Sequence, residues 1–454
     1  MSFQTLSELD SSKLFFIQKK DIEERLDPLF YVAVQNIKNN IIKKAKYRCD
    51  DLIKSCSINR GRFGHRPRND PRFYNGEYPF LQTGDIVKAS SDNSSIEYTQ
   101  TLNEKGLKTS KLFQPPKLLF TIAANIGDTA ILDYPSCFPD SVVAIIPNND
   151  DITLEYLNYY LRLIKHYVVE LAPYSAQRNL NNQQLAQVPI VIPPKDIQDK
   201  IVDIMDSAYD RKKQKDEEAL ELLDNIKHYL LGELGIKLPE QEENTIQRRI
   251  FTRQLSEVSG GRFDPFFSSL NKQDKSGTYK FYKLKELADV RKGNSITSDD
   301  ILDGDIPVIA GGQTSPYSHN VANSEGDVIT ISASGAYSGY VWYHEDCIFA
   351  SDCTMISSKD TDELSNKYIF EYLKTEQQDI YNLQQGSGQP HVYPSDLEKI
   401  KIPIPPIEKQ TKITDHITNI RNQAKQLQQQ AKEELEQAKK EVEAMILGED
   451  AKKA

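Results

Sequence analysis

Two stretches decide the fold: Val188-Pro189-Ile190-Val191-Ile192-Pro193-Pro194-Lys195-Asp196-Ile197 and Ile400-Lys401-Ile402-Pro403-Ile404-Pro405-Pro406-Ile407-Glu408-Lys409. They lie 212 positions apart, and each is a short apolar run ending in Pro-Pro. Proline disfavours helix in the residue before it and suits the first turn of a helix after it. Each stretch therefore reads as an extended piece followed by a helix start. No Gly or Pro interrupts residues 195–231 or 407–447. In the second run Ile413, Ile417, Ile420, Ala424, Leu427, Ala431, Leu435, Ala438, Val442 and Met445 recur at spacings of three and four, the seam of a coiled coil. In the first run Ile197, Ile201, Ile204 and Ala208 begin a seam, the polar Arg211 and Lys215 interrupt it, and Leu222, Ile226 and Tyr229 resume it. Leu230-Leu231-Gly232 and Ile446-Leu447-Gly448 give related stop signals. Each helix spans roughly 55–60 Å at 1.5 Å per residue, too long for the core helix of one domain.

Working outward, much of the chain occurs twice. Arg25-Leu26-Asp27-Pro28-Leu29-Phe30 matches Arg262-Phe263-Asp264-Pro265-Phe266-Phe267 at an offset of 237, and Asn75-Gly76 matches Asp303-Gly304 at 228. At 212, Asp140 matches Asp352, Tyr156 Tyr368, Leu161 Leu373, Gln177 Gln389 and Gln198 Gln410. Falling offsets in one collinear series mean a duplicated unit whose first copy carries about 25 extra residues. In each copy, short β-branched and aromatic runs such as LLFTIAA, SVVAII, DVITISA and GYVWY come first. A compact helix follows, ITLEYLNYYLRLIKHYVVEL or NKYIFEYLKTEQQDIYNL, then the Pro-Pro junction and the long helix.

The expected architecture is α+β: two similar strand-rich domains and two long helices pairing as an antiparallel coiled coil about a pseudo-twofold axis. Its boundaries are a first domain at 1–193, a first long helix at 194–236, a linker at 237–258, a second domain at 259–404, a second long helix at 405–448 and a tail at 449–454.

The chemistry of catalysis is thin. There is no GxxxxGK[ST], GxGxxG, GxSxG or HExxH motif. The five cysteines, an odd number without an export signal, read as reduced thiols buried in strands, and no cluster has metal-ligand spacing. No run approaches the roughly 20 apolar residues of a membrane span. The expected place of action is the cytoplasm, with no membrane partner, no metal and no catalytic residue of its own.

Twin domains at a set separation suit two DNA half-sites. The net charge of −10 opposes that on average. Yet residues 195–233 and 407–450 carry −4 and −2 of it, while Lys38–Arg72 holds eleven basic against three acidic residues. Candidate DNA contacts in the first copy are Arg60, Arg62, His65, Arg66, Arg68, Asn69 and Arg72, with Gln177, Arg178 and Asn179. In the second they are Arg291, Lys292, Gln313, Thr314, Ser387, Gln389 and His391. Arginine and amide side chains are the residues that hydrogen-bond phosphates and base edges. A solvated basic surface, and glutamines that bond their own backbone, are the plainer readings.

With the Pro-Pro-helix segments, the Tyr282-Lys283-Leu284-Lys285-Glu286-Leu287 opening, the Pro307–Gly312 turn and the duplicated order, the chain resembles the specificity subunits of type I restriction–modification systems. The resemblance covers nearly the whole chain and implies a bacterial or archaeal host. It implies two target-recognition domains, each reading a few base pairs of double-stranded DNA, held apart by helices acting as a ruler. It also implies docking of two DNA adenine methyltransferase subunits and two ATP-driven translocase–nuclease subunits, so that S-adenosylmethionine, ATP and Mg belong to partners. No base contact carries over, because recognition loops vary with the target. Two alternatives are a self-contained type II-like methyltransferase or nuclease, and a coiled-coil adaptor without DNA contact. The first would need an Asn/Asp-Pro-Pro-aromatic motif, which does not occur here; the Pro-Pro pairs of both junctions follow Ile.

Overall fold

The computed structural model describes residues 28–65, 68–172, 179–237, 252, 277–386 and 388–447. The Arg262–Phe267 opening lies outside them, as do Arg66, Gln177, Arg178, Ser387 and Gly448. The chain forms two compact units, Met1–Asp216 with Gln428–Ala454, and Glu217–Leu427. Each long helix thus gives one half to each unit.

Both units are built on an antiparallel four-stranded sheet of the same strand order. In the first, Cys56–Arg60, Val142–Pro147, Lys117–Thr121 and Thr129–Leu132 lie side by side. In the second, Ala288–Lys292, Cys353–Ser358, Val328–Ser332 and Val341–His344 do so. These runs are apolar at successive positions because both faces are covered. Leu118, Phe120, Val143 and Ile145 enter one core, while Leu119, Ala130, Val142 and Ala144 enter another on the opposite face. In the second unit Ile329, Ile331 and Ile356 face one core and Val328, Cys353 and Met355 the other.

The compact helix of each copy is two helices with a break, Leu154–Leu163 then Lys165–Glu170, and Asn366–Thr375 then Gln377–Tyr381. Several of their contacts repeat at an offset of 212. Tyr156 donates its hydroxyl to the Val191 carbonyl at 2.6 Å, and Tyr368 to that of Pro403 at 2.7 Å. Gln198 accepts from the Thr153 amide and donates to the carbonyls of Asp151 and Pro193. Gln410 accepts from the Ser365 amide and donates to those of Glu363 and Pro405. Both glutamines are fully buried. The two that repeat in sequence therefore lock the start of each long helix to the helix before it.

The long helices run Lys195–Glu233 and Ile407–Ile446. In the first unit Ile201, Met205 and Ala208 share a core with Leu435, Ala438, Val442 and Ile446. Lys215 and Arg211, which interrupt the apolar seam, pair with Glu434 at 2.7 and 3.5 Å. In the second unit Ile226 and Leu230 share a core with Ile413, Ile417 and Ile420, and Lys409 pairs with Glu233. Within each unit the start of one helix meets the end of the other, so the pairing is antiparallel. Of the expected seam, Ile197, Ile204, Leu222, Tyr229, Leu427 and Met445 are only half-buried, while Met205 and Ala219 are buried unforeseen. Gly232 is not the first helix's stop. The helix passes through it to Glu233, and the left-handed residue is Gly235, at φ +64°. The Ile236 amide reaches the Leu231 carbonyl and the Gly235 amide that of Gly232, the pair of bonds of a Schellman stop.

The added length of the first copy lies between Arg60 and Lys117. The strands Cys56–Arg60 and Ala288–Lys292 differ by 232 positions, Lys117–Thr121 and Val328–Ser332 by only 211. Within this interval Tyr74–Pro79 and Ile306–Ile309 correspond, since Gly76 and Gly304 each lie flat against the next strand. A Cβ would fall 2.5 Å from the Leu102 carbonyl oxygen at the first and 2.4 Å from that of His319 at the second. After this strand the first copy inserts the helix Thr83–Asp92, where the second makes the Gly311–Thr314 turn.

Candidate nucleic-acid interface

At one end of each sheet the same segments converge. In the first unit, residues 61–64 leave one edge strand, 122–128 join an inner strand to the other edge strand, and 138–141 lead into Val142. The Gly61 amide donates to the Val142 carbonyl, Arg62 to Phe138, Ile122 to Ser141 and Leu180 to Ile122, all at 2.8 to 3.0 Å. In the second, Gly293 donates to Cys353, Asn294 to Ala350, Ala333 to Asp352 and Val392 to Ala333, at 2.8 to 3.1 Å. These ladders correct one repeat match: Ile122 with Ser141 answers Ala333 with Asp352, so Asp352 stands one position beyond the counterpart of Asp140. Gly61 and Gly293 are true counterparts. A Cβ on either would lie 2.3 Å from a carbonyl oxygen, of Pro139 or of Ser351.

The first unit gathers several of the predicted basic residues here. Arg60 Nε donates to the Asp140 carbonyl at 2.6 Å, and Arg68 Nη2 to Asp140 Oδ1 at 2.5 Å. With Asn179, Thr83, Ala123 and Ser141 they line a cleft of about 310 Å³. Arg68 and Asn69 also border a second cleft of about 480 Å³, walled by Tyr74, Phe80, Gln82 and Gln100. Arg72 is exposed but engaged by Asp70, through Nε at 3.0 Å and Nη2 at 2.6 Å. His65 Nε2 lies 3.1 Å from the same carboxylate, and its ring stacks on Phe73. Arg72 foremost, with His65, holds the Asp70 carboxyl well below the usual carboxylate range. Arg62 is exposed and makes no ion pair among the described residues. Much of the local positive charge is thus internally matched.

The second unit presents a different surface. The turn carrying Gln313 and Thr314 packs over Ser332, whose hydroxyl donates to the Gly312 carbonyl at 3.1 Å, and beside Ser334, which is bonded to Asp352. Gln385 and His391 exchange two backbone bonds, and Gly386 stands at φ +99°. Gln389 is exposed, its amide 3.5 Å from the Ser334 hydroxyl. Tyr337 and Tyr393 are exposed on these loops. Lys292 closes the edge strand, whereas Arg291 lines a separate groove with Asn323, Glu325 and Ser357.

A family model described as the type I restriction modification DNA specificity domain matches residues 42–222 and again 276–437. The chain belongs to that family. A protein named as a type I specificity subunit of Mycoplasma pneumoniae is 25% identical over 238 residues, covering 51% of this chain and 82% of its own. A chain solved in work on complex assembly and conformational transition of the type I restriction–modification system superposes with a TM-score of 0.54 at 14% identity. That match covers 88% of this chain and 96% of the other. The solved specificity subunit of M. genitalium gives a TM-score of 0.47 at 14% identity, over 88% and 96%. Specificity subunits are non-catalytic DNA-recognition proteins.

Sequence reasoning missed part of the residues that build these sheet ends. Asp140, noted only as a repeat match, is the residue that holds Arg60 and Arg68, 80 and 72 positions away. Thr83 and Gln82 come from the inserted helix. Burial pushes the Cys56 and Cys353 thiols up to about 12. Cys347, expected in a buried strand, is exposed and lies outside any strand. Among the described residues no helix is long and apolar enough to cross a membrane.

Proposed function

We propose that this chain reads a split, asymmetric double-stranded DNA site, one half-site per unit, as the specificity subunit of a type I restriction–modification complex acting in the cytoplasm. One observation carries the reading: the same sheet end is built twice in one chain and furnished with different side chains. A common scaffold supplies the same approach to DNA, and unlike loops supply unlike half-sites. The long helices, which contribute to both units, set the spacer between half-sites. Their polar faces dock two DNA adenine methyltransferase subunits and, in a restriction-competent complex, two translocase–nuclease subunits. S-adenosylmethionine, ATP and Mg are held by those partners.

Methylome sequencing of the host with and without this gene tests the proposal. Loss of one bipartite adenine motif is expected. An unchanged methylome, or loss of a contiguous motif, would refute it.

A further inference from the structure

We infer that Asp140 is a specificity-determining residue of the first unit, one that commits Arg60 and Arg68 to base edges and keeps them off phosphate. The inference rests on the DNA-reading role proposed above and adds the chemistry of one cleft. Arg60 and Arg68 each give one hydrogen bond to Asp140, to its carbonyl and to its carboxylate. A guanidinium has five N–H donors, so each keeps others for a ligand. Both arginine side chains are exposed, and so is Asn179 across the same cleft. Thr83 and Ser141, whose hydroxyls lie 3.0 Å apart, complete its polar wall.

A phosphate offers acceptors only and carries negative charge. It would satisfy the arginines but meet the Asp140 carboxylate. A base-pair edge in the major groove offers donors and acceptors side by side: amino groups on adenine and cytosine, N7 and O6 on guanine. A cleft that sets a carboxylate between two guanidiniums and an amide matches the mixed pattern and not the uniform one. The Arg68 ion pair to the Asp140 carboxylate and the Arg60 bond to the Asp140 carbonyl also fix where the two arginines begin their approach, and rigidly placed donors discriminate better than mobile ones. Asp140 therefore trades sequence-independent grip for selectivity.

The test compares the wild-type chain with Asp140→Asn and Arg68→Gln, each in the complex purified from its host. Each is used to select from a randomised double-stranded DNA pool, with salt titrations on a non-specific duplex. Asp140→Asn should relax base preference by about ten-fold or more at positions in one half-site, leave the other half-site intact, and bind the non-specific duplex more tightly with a steeper salt slope. Arg68→Gln should relax the same positions while weakening binding. An unchanged motif with Asp140→Asn would overturn the inference. So would uniform weakening on every sequence, which marks a residue needed only for folding. If the wild-type complex enriches no motif at all, the DNA-reading role itself fails and the inference falls with it.

Discussion

The two units share a sheet, a pair of helices and a glutamine lock, and differ where those elements end. The first unit's sheet end carries arginines held by Asp140 and Asp70 and is flanked by an inserted helix. The second carries a glycine turn, amides and two exposed tyrosines. The interiors differ too. Thr330 and His344 form a buried hydrogen bond at 2.8 Å on strands where the first unit has Leu119 and Leu132. Under the long helix, Glu371 is fully buried against Arg421, with Lys374 beside it. The corresponding first-unit group is Tyr159, Tyr209 and Arg162, with Asp206 accepting from the Tyr159 hydroxyl. Duplication preserved backbone geometry and let polar chemistry drift wherever another solution satisfied the same buried positions.

The largest expected effects test the shared part. Gly61→Ala and Gly293→Ala each place a Cβ 2.3 Å from a backbone oxygen that cannot yield. Each should cost about 4 kcal/mol, measurable by urea denaturation followed by circular dichroism. Near-neutral behaviour at one site alone would show that the two sheet ends are not built alike. Next come Gln198→Ala and Gln410→Ala. Each removes at least three hydrogen bonds of a fully buried side chain and strands an amide and two carbonyls, so each should cost about 3 kcal/mol. Equal losses support equivalence; a loss at only one would break it.

What could be read from the chain follows from whether the physics is local. The Pro-Pro junctions, the long helices, the apolar strands and the duplicated order rest on periodicity and punctuation, and all are present. The glutamine pair was visible as a match but not as a lock, because its partners lie up to 47 positions away. The two edge glycines gave no signal, since neither has a left-handed backbone and only tertiary approach demands them. Arg68 and Arg72 read as free cations because their acidic partners either sit far along the chain or look like spacing residues. The strands Val142–Pro147 and Cys353–Ser358 lie 211 positions apart and the helices that follow 212, so a match drawn at 212 misplaced Asp140 by one residue.

The buried histidine sharpens the comparison by pH. Desolvation lowers the His344 pKa to about 4, while an unfolded chain titrates near 6.5. As pH falls the unfolded state takes up the proton first. Stability from the neutral ring is complete above about 6.5 and is lost as pH falls toward 4. Between pH 7.5 and 5 the second unit should lose about 2 kcal/mol. Trp342, the chain's single tryptophan, has its ring 4.9 Å from that of His344 and reports the transition by fluorescence. His344→Leu, which copies Leu132, should flatten the pH dependence. A slope that survives this change would place the sensitive group elsewhere.

The smallest effect separates free from matched charge. Arg62 is exposed without an ion pair among the described residues, and its counterpart in the second unit is Asn294. If Arg62 meets phosphate, Arg62→Ala should weaken binding to all duplexes alike and reduce the salt slope by about 1. Asn294→Ala should leave the slope unchanged, and Arg72→Ala should change it less than Arg62→Ala because Asp70 already neutralises that guanidinium. If instead Arg72→Ala flattens the slope as much as Arg62→Ala, the Asp70 pair opens on DNA. The first unit then commands its full positive charge, and the contrast with the second is one of electrostatic strength as well as of base reading.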